Sequence, residues 1–233
     1  SSLPGAAIGV APHSLRAVSP EQLREVAAVF ATGPVHIHAA EQTREVDECF
    51  AWSGMRPVEW LLAKAHVDAR WCIVHATHMT ERETAGLAAS GAVAGLALTT
   101  EADLGDGVFP GNAYLQAGGR FGVGSDSNTI ISPFAELRQF EWSQRLRARR
   151  RNVLAHAEDT TIGTALWARA AAGGAQAVGR PGGAIAVGMR ADLVVLDTEH
   201  PALAEQRSDD LLDAAIFGTV ATPVRDVLIR GEQ

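Results

Sequence analysis

The chain has 233 residues, of which 47% are hydrophobic, and a formal net charge of -7. This length and apolar content allow one large core, with or without a small appendage. The negative charge disfavours nucleic acid and anionic membranes as partners, and no apolar run approaches the ~20 residues of a membrane span. Two cysteines, Cys49 and Cys72, are too few for a disulfide framework, so we expect reduced thiols and a cytoplasmic location.

The amino-terminal segment predicts a strand, a loop and a helix. Residues 7–10 are apolar and strand-like, and the polar loop that follows carries His13 and Arg16. Ser19 and Pro20 are favoured at a helix start, as N-cap and first helical residue, and Gly33 with Pro34 ends that helix.

Strand and helix signals then alternate about every thirty residues. The patterns predict strands over residues 35–39, 71–74, 92–98 and 121–124, and helices over 43–52, 57–65, 80–90, 113–117, 134–151 and 161–172. Residues 99–112 are predicted to be a polar loop. Near-continuous apolar strands separated by helices indicate a parallel sheet covered on both faces. From residue 182 short strands and glycine turns appear, so we expect part of a parallel α/β unit, either a closed barrel or an open doubly wound sheet, over 1–180 and a β-rich appendage over 181–233.

Titratable residues follow three of the predicted strands. In VHIHAAEQ, strand periodicity places His38 opposite the apolar face, and Glu41 comes just after the strand end. His75 and Asp126 follow later strands in the same way. Because the carboxyl ends of parallel strands meet at one edge, these side chains are predicted to form a metal site with a carboxylate that can move protons.

Each of these residues also has a plainer interpretation. His38 and His75 could be core histidines satisfied by hydrogen bonds. His36, deeper on the same face, is expected in such a role, and His78 is expected to bond to loop backbone. Asp126 is expected to be buried, where a carboxylate must be paired or coordinated. Three such residues at equivalent strand ends favour the metal site.

The segments VHIHAAEQ, IVHATH and GVGSDS, with the tail MRADLVVLD, resemble the deaminase branch of the metal-dependent amidohydrolase superfamily. A narrower resemblance, to formimidoylglutamate deiminases of histidine degradation, is carried by three longer segments: HIHAAEQTREVDECFAWSGMRPVEWLL, TTEADLGDGVFP and GSDSNTIISPFAELR. The resemblance implies the C-terminal strands of a TIM-type (β/α)8 barrel and part of a small β-sandwich. It also implies hydrolysis of N-formimino-L-glutamate to N-formyl-L-glutamate and ammonia. An aromatic-ring deaminase and a non-catalytic fragment are the alternatives.

Roles for individual residues follow from this resemblance. It implies that His38 and Asp126 bind one divalent metal ion, zinc before iron or manganese. Asp126 would also take a proton from the attacking water, His75 would orient the resulting hydroxide, and Glu41 would protonate the departing ammonia.

The resemblance extends to the substrate and the assembly. His13 and Arg16 are expected to hold the glutamate portion of the substrate, since a guanidinium offers a two-pronged grip on a carboxylate. A homodimer is implied by analogy with the family.

The chain departs from the family pattern in one respect. The superfamily takes two further metal ligands from a His-x-His motif on the first barrel strand, whereas His36 and His38 correspond to the fifth. We therefore expect the carboxyl-terminal portion of a deiminase, which on its own binds metal weakly and turns over little substrate.

Overall fold

The computed structural model describes residues 6–156, 158–159, 161–207 and 210–233. Four parallel strands form one sheet in the order β1-β2-β3-β4, and β5 and β6 form a separate antiparallel pair. The strands are β1 Val35–Ala39, β2 Trp71–His75, β3 Val93–Leu96, β4 Arg120–Val123, β5 Leu193–Leu196 and β6 Val224–Leu228. The helices are α1 Pro20–Val29, α2 Thr43–Ser53, α3 Pro57–Lys64, α4 Glu81–Ser90, α5 Leu98–Leu104, α6 Gly111–Gln116, α7 Pro133–Ala148, α8 Ile162–Ala177 and α9 Leu211–Phe217.

Helices α1 and α4 begin at the caps that their sequences encode. The Ser19 hydroxyl accepts the backbone N–H of Gln22, whose side chain accepts the N–H of Ser19 in return. Thr80 and Glu83 make the same reciprocal pair at α4, which ends at Gly91 with a φ of 77°. Each capping box satisfies two amide groups that the first helical turn leaves unpaired.

One face of the four-stranded sheet is fully packed against helices. Val35 and Ile37 of β1 are buried there, together with Trp71 and Phe121 of the neighbouring strands. The ring of Phe121 meets that of Phe140 in α7 edge-on, with centroids 5.0 Å apart. This face holds the main hydrophobic core of the described residues.

Helix α8 packs against the other face of the sheet. The His36 ring donates from Nε2 to the carbonyl oxygen of Ala177 at 2.7 Å, and Cys72 packs against Ala177 and Val93. A Cβ at Gly173 would lie 1.9 Å from the Phe121 carbonyl oxygen, so only glycine allows α8 to come this close. His36 therefore has the hydrogen-bonded role expected of it.

Two predicted elements differ from the structure. Residues 7–10 do not form a full strand: Val10 makes a single parallel bridge to Val35, and residues 6–9 are exposed. Pro12, which has no N–H to donate, interrupts the pairing along the free edge of β1. In addition, the predicted strand over 92–98 ends at Leu96, and the predicted loop contains α5.

The carboxyl-terminal region also contains a helix that the pattern did not predict. Helix α9 packs Ala215 and Ile216 inward, and its Ile216 carbonyl accepts a hydrogen bond from Arg138 of α7. Residues 181–233 are therefore not uniformly β, and the division at residue 180 stays a prediction. No helix in the described part of the chain is long and apolar enough to cross a membrane.

Candidate metal centre

Three donor side chains converge at the carboxyl edge of the sheet. His38, His75 and Asp126 each offer a ligand atom, and these atoms all lie within 4.8 Å of one another. In a flat sheet β1 and β4 would be roughly 14 Å apart, a distance that the curvature of a barrel wall shortens. His75, which the resemblance assigns to orienting the hydroxide and at most to weak metal binding, thus belongs to the same cluster as the predicted ligands His38 and Asp126.

The imidazole of His38 is held in one tautomer by backbone. Its Nδ1 lies 2.7 Å from the carbonyl oxygen of His13, which also accepts the backbone N–H of His38 at 2.9 Å. A carbonyl oxygen only accepts, so Nδ1 carries the hydrogen, and in the neutral imidazole Nε2 is then left bare. A bare Nε2 is the state that binds a metal.

His75 is buried and held by carboxylates on both sides of its ring. Its Nδ1 lies 3.3 Å from Oε1 of Glu101, and its Nε2 lies 3.9 Å from Oε1 of Glu41. Burial alone lowers the pKa of His75, but the hydrogen bond to Glu101 and the nearby negative charges outweigh it. The pKa of His75 therefore lies above its ordinary value.

Glu41 lies where β1 gives way to α2, beside the predicted substrate residues. Arg16 approaches it with Nη2 3.4 Å from Oε2 of Glu41, and the Arg16 side chain is 39% exposed. The His13 ring is exposed, with its centroid 4.9 Å from that of His38. The structure thus brings the residues predicted for substrate binding next to those predicted for metal binding and proton transfer.

The backbone around the centre adopts conformations that are costly for residues with a side chain. The φ angles are 53° at Ala40, 68° at His75, 51° at Ala76 and 49° at Asp126. Non-glycine residues seldom occupy this left-handed region, and where they do they cluster at functional sites. These four positions lie at or just after the ends of β1, β2 and β4, the three strands that lead to the donors, and five further non-glycine residues with positive φ lie elsewhere in the described chain.

The prediction that Asp126 is buried is wrong, because its side chain is exposed. It lies in a turn three residues beyond Val123, the last residue of the edge strand β4. The open side of the sheet lies next to it. The carboxylate is therefore solvated in this chain.

Two carboxylates near the centre were not singled out from the sequence. Glu101, on α5, bonds His75, and its other oxygen is buried without a hydrogen-bond partner among the described residues. Glu45, on α2, accepts the backbone N–H groups of Ala40 and Glu41. An acidic residue in a polar run or a first helical turn is common, so neither stood out. His78 bonds to the Asp106 carbonyl, as expected of a loop histidine.

The residues present fit a divalent cation. Two imidazoles and a carboxylate are ligands that first-row metals accept, and catalytic zinc sites commonly use three protein ligands. Glu41 and Glu101 add negative charge around the donors, with Arg16 the nearby cation. The cluster therefore supports a bound divalent metal.

A parallel α/β sheet with this cluster at its carboxyl edge defines a chain of the metal-binding barrel class. The chain belongs to the amidohydrolase family, whose sequence profile matches residues 4–233. This confirms the superfamily resemblance and the α/β barrel-type fold.

Comparisons with single proteins agree with the family. The chain is 52% identical to a formimidoylglutamate deiminase of Pseudomonas aeruginosa over 97% of its length and 50% of the relative's. A crystal structure of an amidohydrolase from Brucella melitensis superimposes with a TM-score of 0.91 at 52% identity, over 97% of this chain and 50% of that one. A structure of an adenosine deaminase from Xanthomonas campestris with bound zinc gives 0.82 at 26% identity, over 96% and 51%. The chain spans about half the length of the relatives it matches, consistent with the expected carboxyl-terminal portion.

Proposed function

We propose that this chain carries part of the active site of an enzyme that hydrolyses N-formimino-L-glutamate to N-formyl-L-glutamate and ammonia. The oxygen of a water molecule forms a bond to the amidine carbon, and the bond from that carbon to the terminal nitrogen breaks. The observation that carries the proposal is the convergence of His38, His75 and Asp126 next to Glu41. The 52% identity to a formimidoylglutamate deiminase supports the choice of substrate.

Zinc is the proposed ion, with iron and manganese as alternatives that the same donors accept. His38, through its bare Nε2, and Asp126 would hold it, with His75 close by. The cation supplies a Lewis acid that makes water nucleophilic near neutral pH. The zinc bound to the Xanthomonas campestris protein supports this choice.

Three side chains of this chain then handle the protons. Asp126 accepts the first proton that the attacking water loses, and the second leaves the new hydroxyl as the carbonyl forms. Both protons end on the terminal nitrogen, which changes from =NH to ammonia. His75, held through Nδ1 by Glu101, orients that water with its Nε2. Glu41 gives a proton to the terminal nitrogen as ammonia departs, because a carboxylate beside the reacting centre can pass protons to a leaving group.

Arg16 and His13 are proposed to hold the glutamate portion of the substrate. The Arg16 guanidinium is part exposed and 3.4 Å from Glu41, so a carboxylate bound to it would lie beside the proton donor. A guanidinium can bind a carboxylate through two parallel hydrogen bonds.

A deaminase of an aromatic ring is the second candidate, because the chain is also similar to an adenosine deaminase structure. A ring substrate would need an apolar slot and would make little use of Arg16. The two candidates therefore differ in their dependence on this residue.

The test is ammonia release by the full-length gene product, with formiminoglutamate and adenosine supplied separately. We expect Arg16→Ala to lower kcat/KM for formiminoglutamate by about 100-fold, as loss of a charged hydrogen-bonded pair does. Arg44→Ala is the matched control, since Arg44 is exposed and, among the described residues, forms an ion pair with Glu48 alone, within helix α2. Unchanged formiminoglutamate turnover in the Arg16 variant would contradict the proposal, and turnover of adenosine alone would favour the second candidate.

The finer points of assembly and location are proposals as well. We propose a small-molecule substrate, no nucleic acid and no membrane as partner, a homodimer, and a cytoplasmic location.

A further inference from the structure

Glu45 is a buried carboxylate that the proposed chemistry does not use. Its side chain is 3% exposed, although it lies only four residues beyond Glu41. Its Oε1 accepts the backbone N–H of Ala40 at 3.1 Å, and its Oε2 accepts that of Glu41 at 2.9 Å. A carboxylate is costly to bury unless such hydrogen bonds compensate.

The turn that Glu45 holds is strained and is fixed from two directions. Ala40 has a φ of 53°, which is unfavourable for alanine. Its carbonyl oxygen accepts the N–H of His78 at 3.0 Å, and the carbonyl of Ala39 accepts the N–H of Ala76 at 3.0 Å. The carbonyls are thus tied to the loop after β2, and the two amides are tied to Glu45.

Glu45 also faces the cation of the site. Arg16 Nη2 lies 4.0 Å from Oε2 of Glu45 and 3.4 Å from Oε2 of Glu41. The same guanidinium therefore lies against both carboxylates. A change at Glu45 would reach the backbone of Glu41 and the side chain of Arg16 together.

We propose that Glu45 is a positioning residue that holds the strained turn of residues 39–42, and so sets the Glu41 carboxylate for proton transfer. This inference rests on the proposed function of Glu41. Glutamine at position 45 could accept only one of the two amides and would face the other with its own N–H groups. Placement of a reacting group matters because a misplacement of about 1 Å can cost about 100-fold in rate.

The test compares Glu45→Gln with Glu48→Gln in the zinc-loaded full-length gene product. Glu48 is the matched control, because it lies on the same helix, is 50% exposed and pairs with Arg44. We expect Glu45→Gln to lower kcat for ammonia release by about 10- to 100-fold, with zinc content unchanged, and Glu48→Gln to have no effect. Glu45→Asp keeps the charge, so its kcat should lie between that of the wild type and that of Glu45→Gln. This variant replaces Glu45→Gln in the comparison if the glutamine variant does not fold.

A double-mutant cycle with Glu41→Gln distinguishes a positioning role of Glu45, exerted through Glu41, from a merely structural role. If Glu45 acts through Glu41, the double variant is no slower than Glu41→Gln alone. Hydrogen exchange gives a second measurement: Glu45→Gln should speed exchange at the amides of Ala40 and Glu41 and leave the core of β1 protected. Multiplicative losses in kcat, or unchanged exchange at these amides, would overturn the inference.

The results that would overturn the proposed function differ from those that would overturn only the role of Glu45. If Glu41→Gln itself left ammonia release unchanged, Glu41 would not be the proton donor, and both proposals would fall. If Glu41→Gln abolished turnover while Glu45→Gln did not change it, only the role of Glu45 would be wrong.

Discussion

The Nδ1 atom of His75 lies 3.3 Å from Oε1 of Glu101, and both side chains are buried at the carboxyl edge of the sheet. Burial works against a charged imidazole, but this hydrogen bond and the Glu101 charge raise the pKa of His75 above 6.5. Folding therefore favours protonated His75. That contribution to stability is fully present below a pH of about 6.5 and is lost as the pH rises through the folded pKa.

Glu101→Gln should remove most of this pH dependence, because glutamine keeps a hydrogen-bond acceptor but loses the charge. In metal-free protein we expect the variant to lose about 1 kcal/mol of unfolding free energy at pH 5.5, and less at pH 8.5. Urea unfolding at the two pH values measures the difference. An equal loss of unfolding free energy at the two pH values would show that Glu101 does not stabilise the protonated form of His75.

Removing the charge of Glu136 should stabilise the protein at neutral pH, whereas removing the charge of Glu101 should destabilise it. It is 1% exposed, and its carboxylate accepts both the N–H and the hydroxyl of Thr99. Burial raises the pKa of Glu136 above 4.5, and the hydrogen bonds from Thr99 only partly offset this. The stability linked to its protonated form is present below the unfolded pKa and is lost as the pH rises through the folded one.

We therefore expect Glu136→Gln to stabilise the protein at pH 7 by about 1 kcal/mol, since the Thr99 hydroxyl can accept from the new amide. The gain should shrink at pH 5. Unfolding midpoints measure it, with the exposed Glu25→Gln as control. Destabilisation at pH 7 would mean that the charge of Glu136 is needed.

Cys72 should be inert while the protein is folded. It is 3% exposed, and burial raises the pKa of its thiol to about 12. The reactive thiolate is therefore scarce at pH 8. In a Cys49→Ser variant, an aromatic disulfide reagent should label Cys72 slowly in buffer and fully in denaturant. Rapid labelling of the folded variant would contradict the buried position.

Much of the sheet could be predicted because its strands are apolar runs with helices between them. Residues 35–39 were predicted with the observed bounds of β1, and Ser19 and Thr80 cap helices as their sequences indicated. In these segments local propensity and tertiary burial favour the same structure.

Helix α5 and the exposure of Asp126 could not be predicted, for different physical reasons. The inward side of α5 includes Glu101, a carboxylate whose burial depends on His75 from another strand, so no apolar stripe marks the helix. Asp126 lies beyond an edge strand, and its exposure depends on which elements lie across the open side of the sheet. Both outcomes are set by contacts distant in sequence.

The metal and proton residues were singled out by their positions after strands, and His13 and Arg16 by the family resemblance, but the groups that hold them were not predicted. His38 depends on the carbonyl of His13, and Glu41 depends on Glu45. Backbone acceptors leave no mark in a sequence. A buried glutamate in a first helical turn looks like any acidic residue that favours a helix start.

The central claim is that the imidazole at position 38 and the carboxylate at position 126 share one cation. X-ray absorption at the zinc edge of the zinc-loaded full-length gene product, compared with its His38→Ala and Asp126→Asn variants, tests it most directly. We expect His38→Ala to remove the imidazole contribution of one ligand from the spectrum, and each substitution to weaken zinc binding at least tenfold. An unchanged spectrum of the His38 variant, or unchanged zinc affinity of either variant, would contradict the account.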